Sequence, residues 1–170
     1  MCNFNKKKPI IVFGAGSIGE RHIRNLWSLG FKNIFVFRKR NLPFKDIGNA
    51  EIKVIKSWNE IKLIKPFAAI ICTPTSLHFS QALACVQLGI HCLVEKPLSH
   101  NTDKFSELVK LINTNKVFVY VGYMMRFHPL IQKIDQIIKS KKYGNIISTQ
   151  SKWGEYLPDW HPWEKISDYY

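Results

Sequence analysis

Pro9-Ile-Ile-Val-Phe-Gly-Ala-Gly-Ser-Ile-Gly-Glu20 reads as a strand, a turn and the start of a helix. The run Ile10–Phe13 is continuously apolar, as in a strand buried on both faces. Gly14, Gly16 and Gly19 follow in the spacing G-x-G-x-x-G. Residues 17–29 then place Ile18, Ile23, Leu26 and Trp27 near helical spacing, and Gly30 stands where a C-terminal cap belongs. In this frame Gly14 permits the tight turn, Gly16 lets a pyrophosphate approach bare backbone, and Gly19 lets helix and strand pack closely. The first N–H groups of the helix, around Ser17 and Ile18, face the anion, and the helix dipole favours its charge. The competing reading is a tight loop that binds nothing; the strand–turn–helix context weighs against it.

Working outward, residues 33–37 form a second apolar strand and complete a βαβ unit of about thirty residues. In such units an acidic residue some twenty positions past the glycines holds the ribose 2′-OH. Here Arg38-Lys39-Arg40 stands there instead. A guanidinium binds a 2′-phosphate bidentately, so Arg38 and Arg40 favour NADP, with NAD as the alternative. A solvated strand end with charge by chance is the bland reading.

The rest of the chain repeats the alternation. After a polar loop at 41–50, residues 51–55 read as a strand, and Ser57-Trp-Asn-Glu60 as a capping box that opens a short helix. Residues 67–72 form a buried strand, broken by Thr73-Pro74-Thr75, and Ser76 is expected to cap a helix to Leu88. A strand at 90–94 stops at Glu95-Lys96-Pro97. A helix at 102–112 puts Phe105, Leu108, Val109 and Ile112 on one face, and a buried strand follows at 117–121. This pattern predicts an α/β fold: a Rossmann-type, doubly wound, mostly parallel sheet over residues 1–122. Residues 123–170 read as the incomplete start of a second, α+β domain. It holds a helix at 127–139, a strand at 145–152 and an aromatic tail from Trp153 to Tyr170.

Composition narrows the function classes. With 170 residues and 46% hydrophobic content the chain can bury a core. No apolar run approaches the ~20 residues that span a bilayer, and the lysine-rich start lacks the apolar stretch of a signal peptide. Cys2, Cys72, Cys85 and Cys92 show no metal-ligand spacing, and Cys72, Cys85 and Cys92 lie in apolar runs. A reduced, cytoplasmic setting is expected. The net charge of +13 comes from lysines scattered over every segment, so a solvated surface is preferred to a nucleic-acid site.

Several separated motifs resemble the glucose-fructose oxidoreductase and inositol dehydrogenase family (Gfo/Idh/MocA). Residues 14–22 are similar to its dinucleotide fingerprint, and Thr73-Pro74-Thr75-Ser-Leu-His78 to its loop near the nicotinamide. Glu95-Lys96-Pro97 is similar to its hallmark motif, and Gly122-Tyr123 with Arg126-Phe127 to its interdomain segment. Asp159-Trp-His-Pro-Trp-Glu164 resembles members associated with surface-polysaccharide sugars.

The resemblance implies an NAD(P)-dependent oxidoreductase acting on a sugar, polyol or nucleotide-sugar. Lys96 would be the catalytic residue that handles the hydroxyl proton, also touching the cofactor. Thr73, Pro74, His78 and Glu95 would line the cofactor, with Glu95 on the nicotinamide ribose. His78 is also readable as a structural histidine, and His22 as a helix-face residue. The family is about twice this length, and its C-terminal half carries the substrate pocket, a further histidine and the oligomer contacts. A homo-oligomer is therefore implied for a full-length form. The alternative is a truncated, non-catalytic dinucleotide-binding protein.

Overall fold

The alternation of side chains along β1 (Ile10–Phe13) sets the layers of the fold. Ile10 and Val12 enter one core, with Ile23 and Leu26 of α1 (Ser17–Ser28). Ile11 and Phe13 enter the other, with residues from the helices after β3, β4 and β5. Successive strand side chains point to opposite faces, so a strand apolar at every position needs a cover on both sides. The computed structural model describes residues 5–39, 41, 43–154 and 156.

The other strands are β2 (Ile34–Phe37), β3 (Ile52–Ile55), β4 (Ala68–Ile71), β5 (His91–Val94) and β6 (Val119–Val121). They form one parallel six-stranded sheet in the order β3-β2-β1-β4-β5-β6. This is the doubly wound dinucleotide-binding order, in which the chain direction across the sheet reverses between β1 and β4. The helices α2 (Trp58–Ile64), α3 (Thr75–Gln87) and α4 (Phe105–Asn115) cover the Phe13 face. On the Ile10 face, α1 is joined by Phe44, Ile47 and Ala50 of the loop between β2 and β3.

Local chemistry sets the element ends. Ser57 and Glu60 close the expected capping box at α2. Gly30 and Gly89 take φ of 90° and 73° just past α1 and α3, where L-residues are strained. Four expectations need correction. Helix α3 starts two residues earlier than expected, with Pro74 instead of Ser76 as its N-cap, so Ser76 lies inside the helix and caps nothing. On α4, Leu108 is buried while Val109 is exposed, because the face packed against the core runs through Leu108, Leu111 and Ile112. Strand β6 is a sheet edge with Tyr120 exposed, not a strand buried on both faces. Residues 145–152 form no strand: Ile146 and Ile147 are adjacent rather than alternating, and no described strand pairs with them.

The chain divides into two compact units, Met1–Met124 and Met125–Tyr170. A short 3₁₀ helix spans Met124–Phe127. The second unit holds α5 (Pro129–Ser140), which begins with Pro129 behind a His128 cap. In the aromatic tail Trp153 and Tyr156 are exposed; Trp160, His161, Trp163, Tyr169 and Tyr170 lie outside the described residues.

Candidate functional site

Register brings the candidate residues to one edge. Phe13 pairs with Phe37 and Ile71, Ile71 with Val94, and Val94 with Val121. Gly14, Arg38, Cys72, Glu95 and Gly122 are the next residues along these five strands, so they emerge in a row at the carboxyl end of the sheet. Backbone bonds carry the ladder through this row, from Gly14 N–H to the Phe37 carbonyl, Cys72 to Phe13, Glu95 to Ile71 and Gly122 to Val94. Ligands of open α/β sheets bind at this edge.

The glycine turn sits over the β1–β4 reversal. Gly14 has φ 83°, and a Cβ there would lie 2.9 Å from the Cys72 carbonyl oxygen. A Cβ on Gly19 would overlap the Gly14 carbonyl, so only glycine lets α1 start this close to the strand. A Cβ on Gly16 would meet nothing within 4 Å. Gly16 is the N-cap of α1 and supplies no side-chain cap, so the first N–H groups around the exposed Ser17 and Ile18 stay available. An open cradle of bare backbone at a helix start fits a pyrophosphate.

At the β2 end the Arg38 guanidinium lies over the Phe44 ring, 3.9 Å from its centroid. Its buried Nε has no hydrogen-bond partner among the described residues. Arg40 lies outside the described residues. Glu20, 4% exposed, accepts from the backbone N–H groups of Lys45 and Asp46 at 2.9 and 2.8 Å.

The loops after β4 and β5 are tied together by α3. His78 is buried, with Nδ1 2.7 Å from the Pro97 carbonyl and Nε2 2.6 Å from the Thr73 carbonyl. Both ring nitrogens lie against protein oxygens, so His78 ties the Thr73 and Pro97 loops together and leaves no ring nitrogen without a partner. Thr73 Oγ1 donates to Gln81 Oε1 at 2.7 Å, which steers the threonine side chain along α3. Pro74 is exposed at the loop tip.

His22 is more than a helix-face residue. Its Nε2 lies 2.9 Å from Glu95 Oε1, an ion pair when the ring is protonated. Glu95 Oε2 also accepts the Lys96 backbone N–H at 3.3 Å. The Glu95 carboxylate therefore points back to α1, and the Lys96 side chain is exposed. The Lys96–Pro97 peptide is cis. Beside them, burial and then the Glu95 charge push the Cys72 thiol up to about 12, which keeps it a protonated, poorly nucleophilic group. Among the described residues no cluster of three or more His, Cys, Asp or Glu could hold a metal ion. No described helix is long and apolar enough to cross a membrane.

A glycine cradle, a basic strand end and a glutamate–lysine pair along one parallel edge form a dinucleotide-binding frame. The family described as an oxidoreductase family with an NAD-binding Rossmann fold, Gfo/Idh/MocA, matches residues 8–123. The chain belongs to this family. Among its relatives, the uncharacterized oxidoreductase YrbE of Bacillus subtilis is 26% identical over 147 residues, 78% of this chain and 40% of that protein. The scyllo-inositol 2-dehydrogenase (NADP(+)) IolW of Bacillus subtilis is 25% identical, over 71% of this chain and 32% of that protein. The solved UDP-N-acetylglucosamine 3-dehydrogenase of Acidithiobacillus ferrooxidans superposes with a TM-score of 0.67 at 26% identity, over 76% of this chain and 43% of that one. The chain thus spans less than half the length of each Gfo/Idh/MocA relative named here.

Within the Gfo/Idh/MocA frame, sequence reading missed Glu20, His22 and Gln81 as parts of the site. His22 had one readable signal: it lies three residues past Gly19 and so shares the face of α1 that meets the strand ends. Glu20 had none, because its partners are backbone groups 25 and 26 residues away.

Proposed function

We propose that this chain binds NADP along the carboxyl edge of its sheet. In a protein with a complete substrate side it would serve oxidoreduction of a sugar, polyol or nucleotide-sugar. The observation that carries the reading is the row of Gly14, Arg38, Cys72 and Glu95 beyond paired strand ends, with Thr73 next to Cys72 and an open cradle at Gly16. Gly14, Gly16, Ser17, Ile18 and Gly19 would hold the pyrophosphate with backbone N–H groups and close packing. Arg38, with Arg40, would take the 2′-phosphate through its planar fork. Thr73 and Pro74 would flank the nicotinamide, and Glu95 would contact its ribose. When bound, the cofactor supplies a hydride acceptor or donor.

Lys96 would hold the hydroxyl of the reacting carbon and take or return the proton at its oxygen. His22 fixes Glu95, and Glu95 fixes the backbone of Lys96, so the lysine starts from a defined place. The inositol and UDP-sugar dehydrogenases among the relatives support polyol and nucleotide-sugar substrates. The resemblance at Asp159–Glu164 motivates a role in surface-polysaccharide synthesis, in the cytoplasm. Fluorescence titration of the chain with NADPH and NADH tests the reading. Saturable binding with NADPH ahead by roughly tenfold, one charge-assisted contact, is expected. No saturable binding of either cofactor would sink it, and equal affinities would remove the NADP assignment.

A further inference from the structure

Between β2 and β3 none of the described residues is helical or part of the sheet, yet residues 44–47 hold a defined position over α1. Three contacts hold them. The buried Glu20 carboxylate accepts from Lys45 N–H and Asp46 N–H. Arg24, one turn along α1, pairs with the Asp46 carboxylate at 3.0 Å and also donates to the Asp46 carbonyl. Phe44 and Ile47 pack against the core that includes Ile23 and Leu26. The same Phe44 ring carries the Arg38 guanidinium.

We propose that Glu20 is a positioning residue for cofactor discrimination: by pinning the loop backbone at Lys45 and Asp46, it fixes Phe44 under Arg38. Stacking on a ring face orients a guanidinium while leaving its edge N–H groups for an anion. A 2′-phosphate is the part of NADP that NAD lacks, so only NADP depends on that orientation. The helix that carries the pyrophosphate turn would thereby also set the selectivity. This inference rests on the reading that Arg38 meets the 2′-phosphate.

A carboxylate acting simply as a negative charge near an anion site would make the opposite prediction. Removing its charge would then strengthen NADPH binding. Under the positioning role Glu20→Gln weakens it. The amide keeps one acceptor oxygen, but its NH₂ faces the second backbone N–H, and the loop loses one anchor.

The test uses the full chain with Glu20→Gln, Glu20→Ala, Arg38→Ala and the double variant Arg38→Ala with Glu20→Gln. Each is titrated with NADPH and NADH, and amide exchange at Lys45 and Asp46 is followed without cofactor. Expected are protected Lys45 and Asp46 amides in the wild type and faster exchange in Glu20→Gln. NADPH affinity should fall roughly tenfold in Glu20→Gln, the scale of one charged hydrogen bond, while NADH affinity stays within about twofold. The double variant should be no worse than Arg38→Ala, because both changes remove one interaction. Tighter NADPH binding in Glu20→Gln, a parallel fall for both cofactors, or unprotected amides in the wild type would each overturn the proposal. A wild-type NADPH preference that survives Glu20→Gln would overturn it alone. Equal wild-type affinities would overturn it together with the NADP assignment. Should Glu20→Ala fail to fold, the near-isosteric Glu20→Gln carries the same readouts.

Discussion

Two glycines of one turn separate folding from binding. A Cβ on Gly19 would run into the Gly14 carbonyl, which is backbone and cannot step aside. Gly19→Ala should therefore cost about 1–3 kcal/mol of stability, the usual range for forced overpacking, read as a lowered denaturant midpoint. Gly16→Ala meets no neighbour, so its midpoint should stay unchanged while NADPH affinity falls, because the new methyl occupies the cradle. If both variants lost stability alike, the cradle at Gly16 would not be open. Cys72 gives a residue-scale prediction in pH. Its raised thiol value means that the folded state disfavours the thiolate. Its contribution to stability is complete below the ordinary thiol range, near 8.5, and is lost as pH rises from there towards about 12. In the native chain the Cys72 peptide should resist iodoacetamide at pH 8–9, and in denaturant it should label readily, as mass spectrometry would report.

At the scale of elements, α3 aligns two loops. Its second turn carries His78, whose ring spans from the Thr73 carbonyl after β4 to the Pro97 carbonyl after β5. An apolar replacement such as His78→Leu removes the ring that bridges the two carbonyls. A neutral imidazole donates through one nitrogen, so about 1–3 kcal/mol is expected for the oxygen that loses its donor; the thermal midpoint should drop and NADPH binding should weaken with it. An unchanged midpoint would show that the two loops hold themselves. This bridge also shows what the sequence could tell. Strands β1, β2 and β4 were readable because each is a run of apolar residues between turn residues, β3 and β5 because β-branched and apolar residues dominate a short segment despite Lys53 and His91, and the capping box of α2 because Ser57 and Glu60 sit at a fixed spacing. The strand expected at 145–152 failed because a strand exists through its partner, and local apolarity does not supply one. The His22–Glu95 contact joins residues 73 positions apart, and only the order β1-β4-β5 brings them together. Motif reading found Glu95 and Lys96 from their place at a strand end. It could not find that the Glu95 carboxylate turns back to α1.

At the scale of the molecule, the groups proposed for the cofactor and those required for turnover are unequally present. The unit Met1–Met124 contains the glycine turn, Arg38, Thr73, Glu95 and Lys96. Proton transfer from a carbinol needs Lys96 held against the substrate, because proximity supplies much of the rate and a displacement near 1 Å forfeits it. Yet the Lys96 side chain is exposed, and among the described residues no side chain is hydrogen-bonded to its ammonium group. The Glu95 carboxylate that could have steered it is engaged by His22. Ligand pockets bury most of a small molecule, and sugars need such walls as much as other ligands do. These 170 residues should therefore bind NADPH saturably and show no steady turnover when a panel of polyols and nucleotide-sugars is assayed with NADP. Lys96→Met should leave the affinity for NADPH within about twofold, since the apolar stem is kept and only the proton-handling group is removed. Steady turnover of any sugar by this chain, abolished by Lys96→Met, would show that the exposed lysine already has the walls and partners it needs. Turnover unaffected by Lys96→Met would move the proton to another group.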